Sequence, residues 1–296
     1  AWRTDIVAAP GAHDLRAVGH RAVAAAAPPD RAAWRRAVAA VLDEIESGRV
    51  AKVVLAREVV IEDDARYDAR LVLDRLRHAQ PGCFVYGRLD DGGDLVGASP
   101  ELLVRRAGER VESRPMAGTI ARGATTGEDE RAVRALATST KDALEHRLVV
   151  TAVVDALRPR CRELRFPAHP EVARLASLAH LTTPVIGRLR PPWPSALDLA
   201  LVLHPTPAVC GTPPDAALAL SRDHERFDRG RYAGPVGWVD AAGDGEWAVA
   251  LRGAELHGSR ARLVVGSGIV AGSDPDAEWE ETEAKLETML SVLRGR

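Results

Sequence analysis

The chain has 296 residues, 46% of them apolar, and its 40 basic and 42 acidic side chains leave a formal net charge of -2. Such a content can fill a large core, and the near-balance of charge excludes an electrostatic nucleic-acid binder, which would carry a basic stripe. Cys83, Cys161 and Cys210 are far apart with no metal-ligand spacing, no apolar run approaches the roughly 18 residues of a membrane helix, and AWRTDIVAAPGAHD lacks the order of a secretion signal, so a cytoplasmic protein with no membrane partner is expected.

Pro28-Pro29-Asp30 opens a predicted amphipathic helix in which Trp34, Val38, Val41, Leu42 and Ile45 recur at helical spacing, ended by Gly48. A β run follows over 50–61, then a helix over 69–78. Residues 83–88 and 94–98 read as strands around the turn Asp90-Asp91-Gly92-Gly93, and 102–106 with 110–113 as a hairpin around Ala107-Gly108. A long helical region covers 128–157 with a break near Ser139. Residues 171–187 read as extended strand and 195–203 as a short helix.

His204-Pro205-Thr206-Pro207-Ala208-Val209-Cys210-Gly211-Thr212-Pro213 cannot be a regular helix or central strand, so it is a rigid loop. Most such clusters are structural turns, but rigid loops also carry binding groups. A helix over 215–221 and strands over 234–240, 246–256 and 260–265 come next. Ser273-Asp274-Pro275 caps a last helix to Leu293. Strands and helices fall in blocks, which indicates an α+β fold with antiparallel sheets.

Three sets of charged residues invite a chemical reading. On the last helix Glu278, Glu281 and Lys285 form a stripe beside the apolar face of Trp279, Leu286, Met289, Leu290 and Leu293, while Glu280 and Glu287 point away. Helix-dipole and i,i+4 effects would explain such a stripe alone. On the earlier helix, however, Glu145 shares a face with Leu148, Val149 and Ala152, and a carboxylate among apolar neighbours needs a partner. A divalent cation held from two helices would supply one, and oxygen-only ligands suit magnesium. Asp142 lies one turn before Glu145, behind a capping pattern at Ser139 and Thr140. Lys52 interrupts an apolar strand. Facing outward it is unremarkable; facing inward it would be desolvated and could act as a base. Glu101 follows Ala98-Ser99-Pro100, and in a pocket it could serve as a proton donor.

In order and spacing the chain resembles the chorismate-using enzymes, and HPTPAVCGTP is similar to the signature loop of their isochorismate synthases. KVVLAR resembles the strand carrying that family's general-base lysine, here Lys52, and GASPELLVRR the segment of its general acid, here Glu101. RPMAGTIARG resembles a substrate-binding turn, with Gly118 and Thr119 at the contact positions. EHRLVV places a metal-ligating glutamate at Glu145, and EWEETEAKL places one at Glu281 and a carboxylate-binding lysine at Lys285, with Glu278 a third ligand. YAGPVGW, ALRGAEL and VVGSGIV match substrate contacts at Tyr232, Arg252, Gly266 and Gly268. His204 is added as a supporting group at the substrate, although a lone His before Pro is more often structural.

The resemblance implies large antiparallel sheets packed in layers with helices outside, one chorismate-binding catalytic domain over 1–296, a Mg2+ cofactor and a monomer. Because Lys52 lies nearer the start than in typical members, a shortened N-terminal subdomain is expected. Lysine at 52 disfavours anthranilate synthase, and Ala117 disfavours the aminodeoxychorismate branch. Isochorismate synthase, serving siderophore or menaquinone biosynthesis, is the expected activity. Salicylate synthase and a catalytically silent binding subunit are the alternatives.

Overall fold

The computed structural model describes residues 30–90 and 92–295. Pro28, Pro29, Asp91 and the AWRTDIVAAPGAHD segment lie outside the described residues. In chain order the elements are α1 (Arg31–Glu46), β1 (Lys52–Glu62), α2 (Ala69–Ala79), β2 (Phe84–Arg88), β3 (Asp94–Ser99), β4 (Leu102–Ala107), β5 (Arg110–Arg114), β6 (Met116–Ala121), α3 (Thr126–Thr138) and α4 (Thr140–Leu157). There follow β7 (Cys161–Arg165), β8 (Glu171–Arg174), β9 (Leu178–Thr182), β10 (Val185–Leu189), α5 (Ala196–Leu203), β11 (Gly211–Thr212), α6 (Pro214–His224), β12 (Pro235–Val239), β13 (Gly245–Val249), β14 (Gly253–His257), β15 (Arg260–Ile269) and α7 (Pro275–Leu293).

Among the described residues the strands form two six-stranded sheets, ordered β11-β1-β15-β14-β3-β2 and β12-β13-β4-β5-β10-β7, and a three-stranded one, β6-β9-β8. Their pairings are antiparallel. The first sheet packs on α2 and α7 through Leu76, Val96, Leu263 and Met289. The second packs on α4 and α5 through Leu103, Val153, Leu157 and Leu199. Each fully buried Leu or Val contributes roughly 1.5–3 kcal/mol relative to exposure. This is the expected α+β architecture.

Local chemistry sets the helix limits. Trp34, Ala37, Val38 and Val41 form the buried stripe of α1, and Asp30 caps it by accepting from Ala33 N. The long helical region breaks at Ser139, which is extended (φ -70, ψ 118), ends α3 and caps α4 through Asp142 N. Arg57 on β1 lies 4.1 Å above the Trp279 ring and donates to Thr282 Oγ1 at 2.7 Å, which ties α7 to the first sheet.

Some expectations are corrected. Residues 171–187 are not one extended segment but β8, β9 and the start of β10: the chain reverses between β8 and β9, where Leu175 N donates to Leu178 O, and then runs on from β9 into β10. Residues 246–256 divide into β13 and β14 at Ala250–Arg252, where Arg252 takes a positive φ of 51. RPMAGTIARG is not a turn but carries strand β6, bulged between Ala117 and Thr119, where Gly118 has φ 73. Strand β7 carried no sequence signal, because Arg162, Glu163 and Arg165 hide its alternation.

The two large sheets exchange strands at adjacent crossings. Ser99-Pro100-Glu101 leads from β3 to β4, and Ala250-Leu251-Arg252 leads from β13 to β14. The crossings bond to each other, Val249 N to Glu101 O at 3.2 Å and Ala98 N to Arg252 O at 3.2 Å. This seam holds the candidate site.

Candidate active site

A cleft of about 780 Å³, counted with its open mouth, follows the seam. Glu101, Gly118, Thr119, Glu145, Tyr232, Arg252, Gly266, Gly268 and Lys285 line it, so nine residues predicted from motifs far apart in the sequence meet there. Lys52 and the carboxylates Glu278 and Glu281 lie behind that surface. His204 does not line the cleft: its N–H closes α5 on Ala200 O, and its ring Nδ1 is buried without a protein partner. Ala208 is the residue of the proline loop that reaches the wall.

Glu101 is 3% exposed. Burial pushes its carboxyl up to about 7, against the opposing charges of Lys52, Lys285 and Arg252 and a bond from the Met116 N–H. A carboxyl with that value holds a proton to give near neutral pH. Arg252 is brought down to about 10 by burial, and its Nη1 is buried without a protein partner. An unmatched N–H in a cleft favours an anionic ligand.

The reading of single residues missed His180. It lines the cleft, and burial together with Arg252 and Lys285 holds its pKa well below the ordinary value, so the ring is neutral. Its Nδ1 lies 3.1 Å from Gly118 O and donates to it; Nε2 then accepts from Arg252 Nη2. Thr119 Oγ1 stands 3.2 Å from the same Nδ1. The chain Gly118–His180–Arg252 thus fixes the guanidinium at the seam. A histidine inside the apolar run Leu178–Leu181 was the available signal.

Lys52 faces inward and is fully buried. Its Nζ donates to Glu145 Oε1 at 2.9 Å. Of the two orientations the sequence left open, Lys52 takes the inward one, with a carboxylate as its partner. Gly268 makes room for this pair: a Cβ there would come 2.2 Å from Glu145 Oε1 and 2.7 Å from Lys52 Cε.

The carboxylates of α7 also meet lysines. Lys141 Nζ lies 2.6 Å from Glu278 Oε1, and Lys285 Nζ lies 2.7 Å from Glu281 Oε1 and donates to Gly266 O at 3.0 Å. Burial would raise Glu281, but Lys285 and Lys141, with bonds from Lys285 and Ser267, bring it down to about 2. Burial and the charge of Glu281 push Glu278 up. The Ser267 hydroxyl touches both carboxylates, and the Ser273 hydroxyl donates to Glu278 Oε1 at 2.7 Å. Lys141 is held charged against its burial by Glu278, Glu281 and Glu145 together. One ammonium therefore senses all three predicted metal ligands.

Among the described residues no three His, Cys, Asp or Glu side chains form a ready-made ligand set. The donor chemistry nevertheless fits magnesium: three hard carboxylates gather around a positive charge, and their lysines would have to give way to a metal ion.

The profile of a family described as chorismate binding enzyme matches residues 7–294. The chain belongs to that family. A Mycobacterium tuberculosis protein provisionally named isochorismate synthase MenF is 47% identical over 285 residues, covering 92% of this chain and 75% of that protein. Isochorismate synthase EntC of Escherichia coli K12 is 42% identical over 266 residues, covering 90% of this chain and 68% of EntC. The structure of MenF, the menaquinone-specific isochorismate synthase of Escherichia coli, superposes with a TM-score of 0.84 at 29% identity, covering 93% of this chain and 64% of that one. No helix among the described residues is long and apolar enough to cross a membrane.

Proposed function

We propose that this chain is an isochorismate synthase, moving a hydroxyl from carbon 4 of chorismate to carbon 2. The observation that carries the reading is Glu101: a buried carboxyl with its pKa raised to about 7, beside an unmatched Arg252 N–H, in a family member whose relatives bear that name. Water adds at carbon 2, the ring double bonds shift, and the carbon 4 to oxygen bond breaks. Hydroxide leaves poorly, so Glu101 gives its proton to the departing oxygen, which leaves as water; such general acid help is worth about 10²–10⁴-fold. Lys52 takes the proton of the attacking water. It does so as a neutral amine, once Glu145, which lines the cleft, has let go of Nζ and the ammonium proton has passed to solvent. One water enters and one departs, so substrate and product are isomers.

Arg252 and Lys285 position the two substrate carboxylates, the former through its planar fork. Gly118, Thr119, Tyr232, Gly266 and Gly268 shape the surface around the ring. Magnesium, held by Glu145, Glu281 and Glu278, would supply Lewis-acid stabilisation of carboxylate charge. The test is incubation with chorismate and MgCl2 followed by chromatography. Isochorismate as the product supports the reading; salicylate with pyruvate, or unchanged chorismate, overturns it.

A further inference from the structure

The outer edge of β1 is only partly covered. β11 pairs with Lys52 and Val53 and then stops. One further bond joins Val54 N to Cys210 O at 2.7 Å. The next acceptor and donor on that edge, Val54 O and Ala56 N, meet side chains instead of a strand. Arg229 Nη2 donates to Val54 O at 2.8 Å, and Ala56 N donates to Glu225 Oε1 at 2.8 Å. The two side chains form a bidentate pair, Nε to Oε2 at 2.8 Å and Nη2 to Oε1 at 2.6 Å. Arg229 Nη1 then donates to Val209 O at 2.7 Å, inside the proline loop. Both are well covered, with side-chain exposures of 4% for Glu225 and 19% for Arg229. The carboxylate and guanidinium thus stand in for two rungs of a missing strand and also grip the loop.

What they join is the cleft wall. Val54 lines the cleft from β1 and Ala208 from the loop, and Lys52 sits two residues before Val54. We propose that Glu225 and Arg229 are a positioning pair that locks the His204–Pro213 loop to β1, fixing the wall and Lys52 in register with the bound ring. Neither residue lines the cleft, so the pair acts through its neighbours. The proposal rests on the isochorismate synthase reading for its kinetic consequence, but not for its structural one.

Arg229→Lys keeps the charge and loses the fork, which is no conservative change at a bidentate site. A displaced wall should lower kcat about 10- to 100-fold, since small misplacements from remote changes cost that much. KM for chorismate should change less than about threefold, because the groups proposed to bind the carboxylates are untouched. Glu225→Gln, a milder change that leaves an acceptor for Ala56 N, should show the same split. The double variant should be no worse than the poorer single one, as for two halves of one device. Hydrogen exchange without substrate reads the device directly: amides in peptides covering 53–57 and 205–212 should exchange faster in Arg229→Lys than in wild type. Unchanged exchange, or a kcat equal to wild type well below the variant's Tm, overturns the proposal, as does a raised KM with kcat intact. If exchange rises while wild type makes no isochorismate, the pair stands and the functional reading falls.

Discussion

Glu101 gains its chemistry from burial at the seam, and the sign of its pH dependence follows. As an acid it must be protonated, and with a pKa near 7 its protonated fraction falls as pH rises through that value. The kcat/KM profile should therefore show a falling limb with a midpoint near pH 7, and Glu101→Gln should abolish turnover. The same shift bears on stability. A carboxyl whose folded pKa is raised from 4.5 to about 7 favours the folded state below the unfolded value and loses that favour as pH rises through the folded one. The loss is on the order of a few kcal/mol. Glu101→Gln should then melt at or above the wild-type temperature at pH 8 while being inactive, as a thermal shift series would record; a lower Tm would show that the carboxylate is stabilised by its cationic neighbours instead. Lys52→Ala should also abolish product, and wild-type turnover in it would mean that another group activates water. Local pattern made Glu101 and Lys52 candidates, as charged residues after a proline turn and within an apolar strand, and the family resemblance singled them out. His180 and Lys141 were not legible, because their importance lies in partners 72 and 137 residues away.

At the scale of elements, close approach decides what the strands tolerate. Gly268 on β15 faces the Lys52–Glu145 pair, and Lys52 is too buried to withdraw. Gly268→Ala should cost about 1–3 kcal/mol by overpacking and lower kcat/KM at least tenfold; wild-type kinetics with a normal Tm would show that the pair has room to shift. Gly211 on β11 has φ 147, and a Cβ there would stand 2.2 Å from the Lys52 carbonyl oxygen, which is backbone and cannot move aside. Helix limits were readable from caps at Asp30, Ser139 and Asp274, and strands from alternation. The three strands merged over 171–187 were not separable in sequence, since the reversal at Ala176-Ser177 lacks the Gly that marks a tight turn, and at Thr183-Pro184 the chain does not reverse but passes from pairing with β6 to pairing with β5. Where the resemblance implied a turn, the positive φ of Gly118 serves a strand bulge instead.

For the whole molecule, the decisive feature is that two sheets trade strands at adjacent crossings, which brings residues 101 and 252 together in a way that no local pattern announces. The family resemblance supplied the residues, and the crossings explain why they converge. Addition of EDTA should abolish activity and MgCl2 restore it, with Glu281→Gln weakening both the response and the rate; full activity in EDTA would remove the metal from the proposal. The pairing of each of Glu145, Glu278 and Glu281 with its own lysine has a further consequence. Those three pairs cancel in charge and Arg252 adds one unmatched positive charge, so a dication entering alone would add to a poorly solvated space that is already slightly positive, and a dianion entering alone would overshoot it. Entering as a couple they add no net charge. Substrate and cation should therefore each tighten the other's hold by the same factor, as reciprocity of linked equilibria requires, and titrations of either one at increasing fixed levels of the other should converge on a ternary complex whose assembly is nearly indifferent to ionic strength.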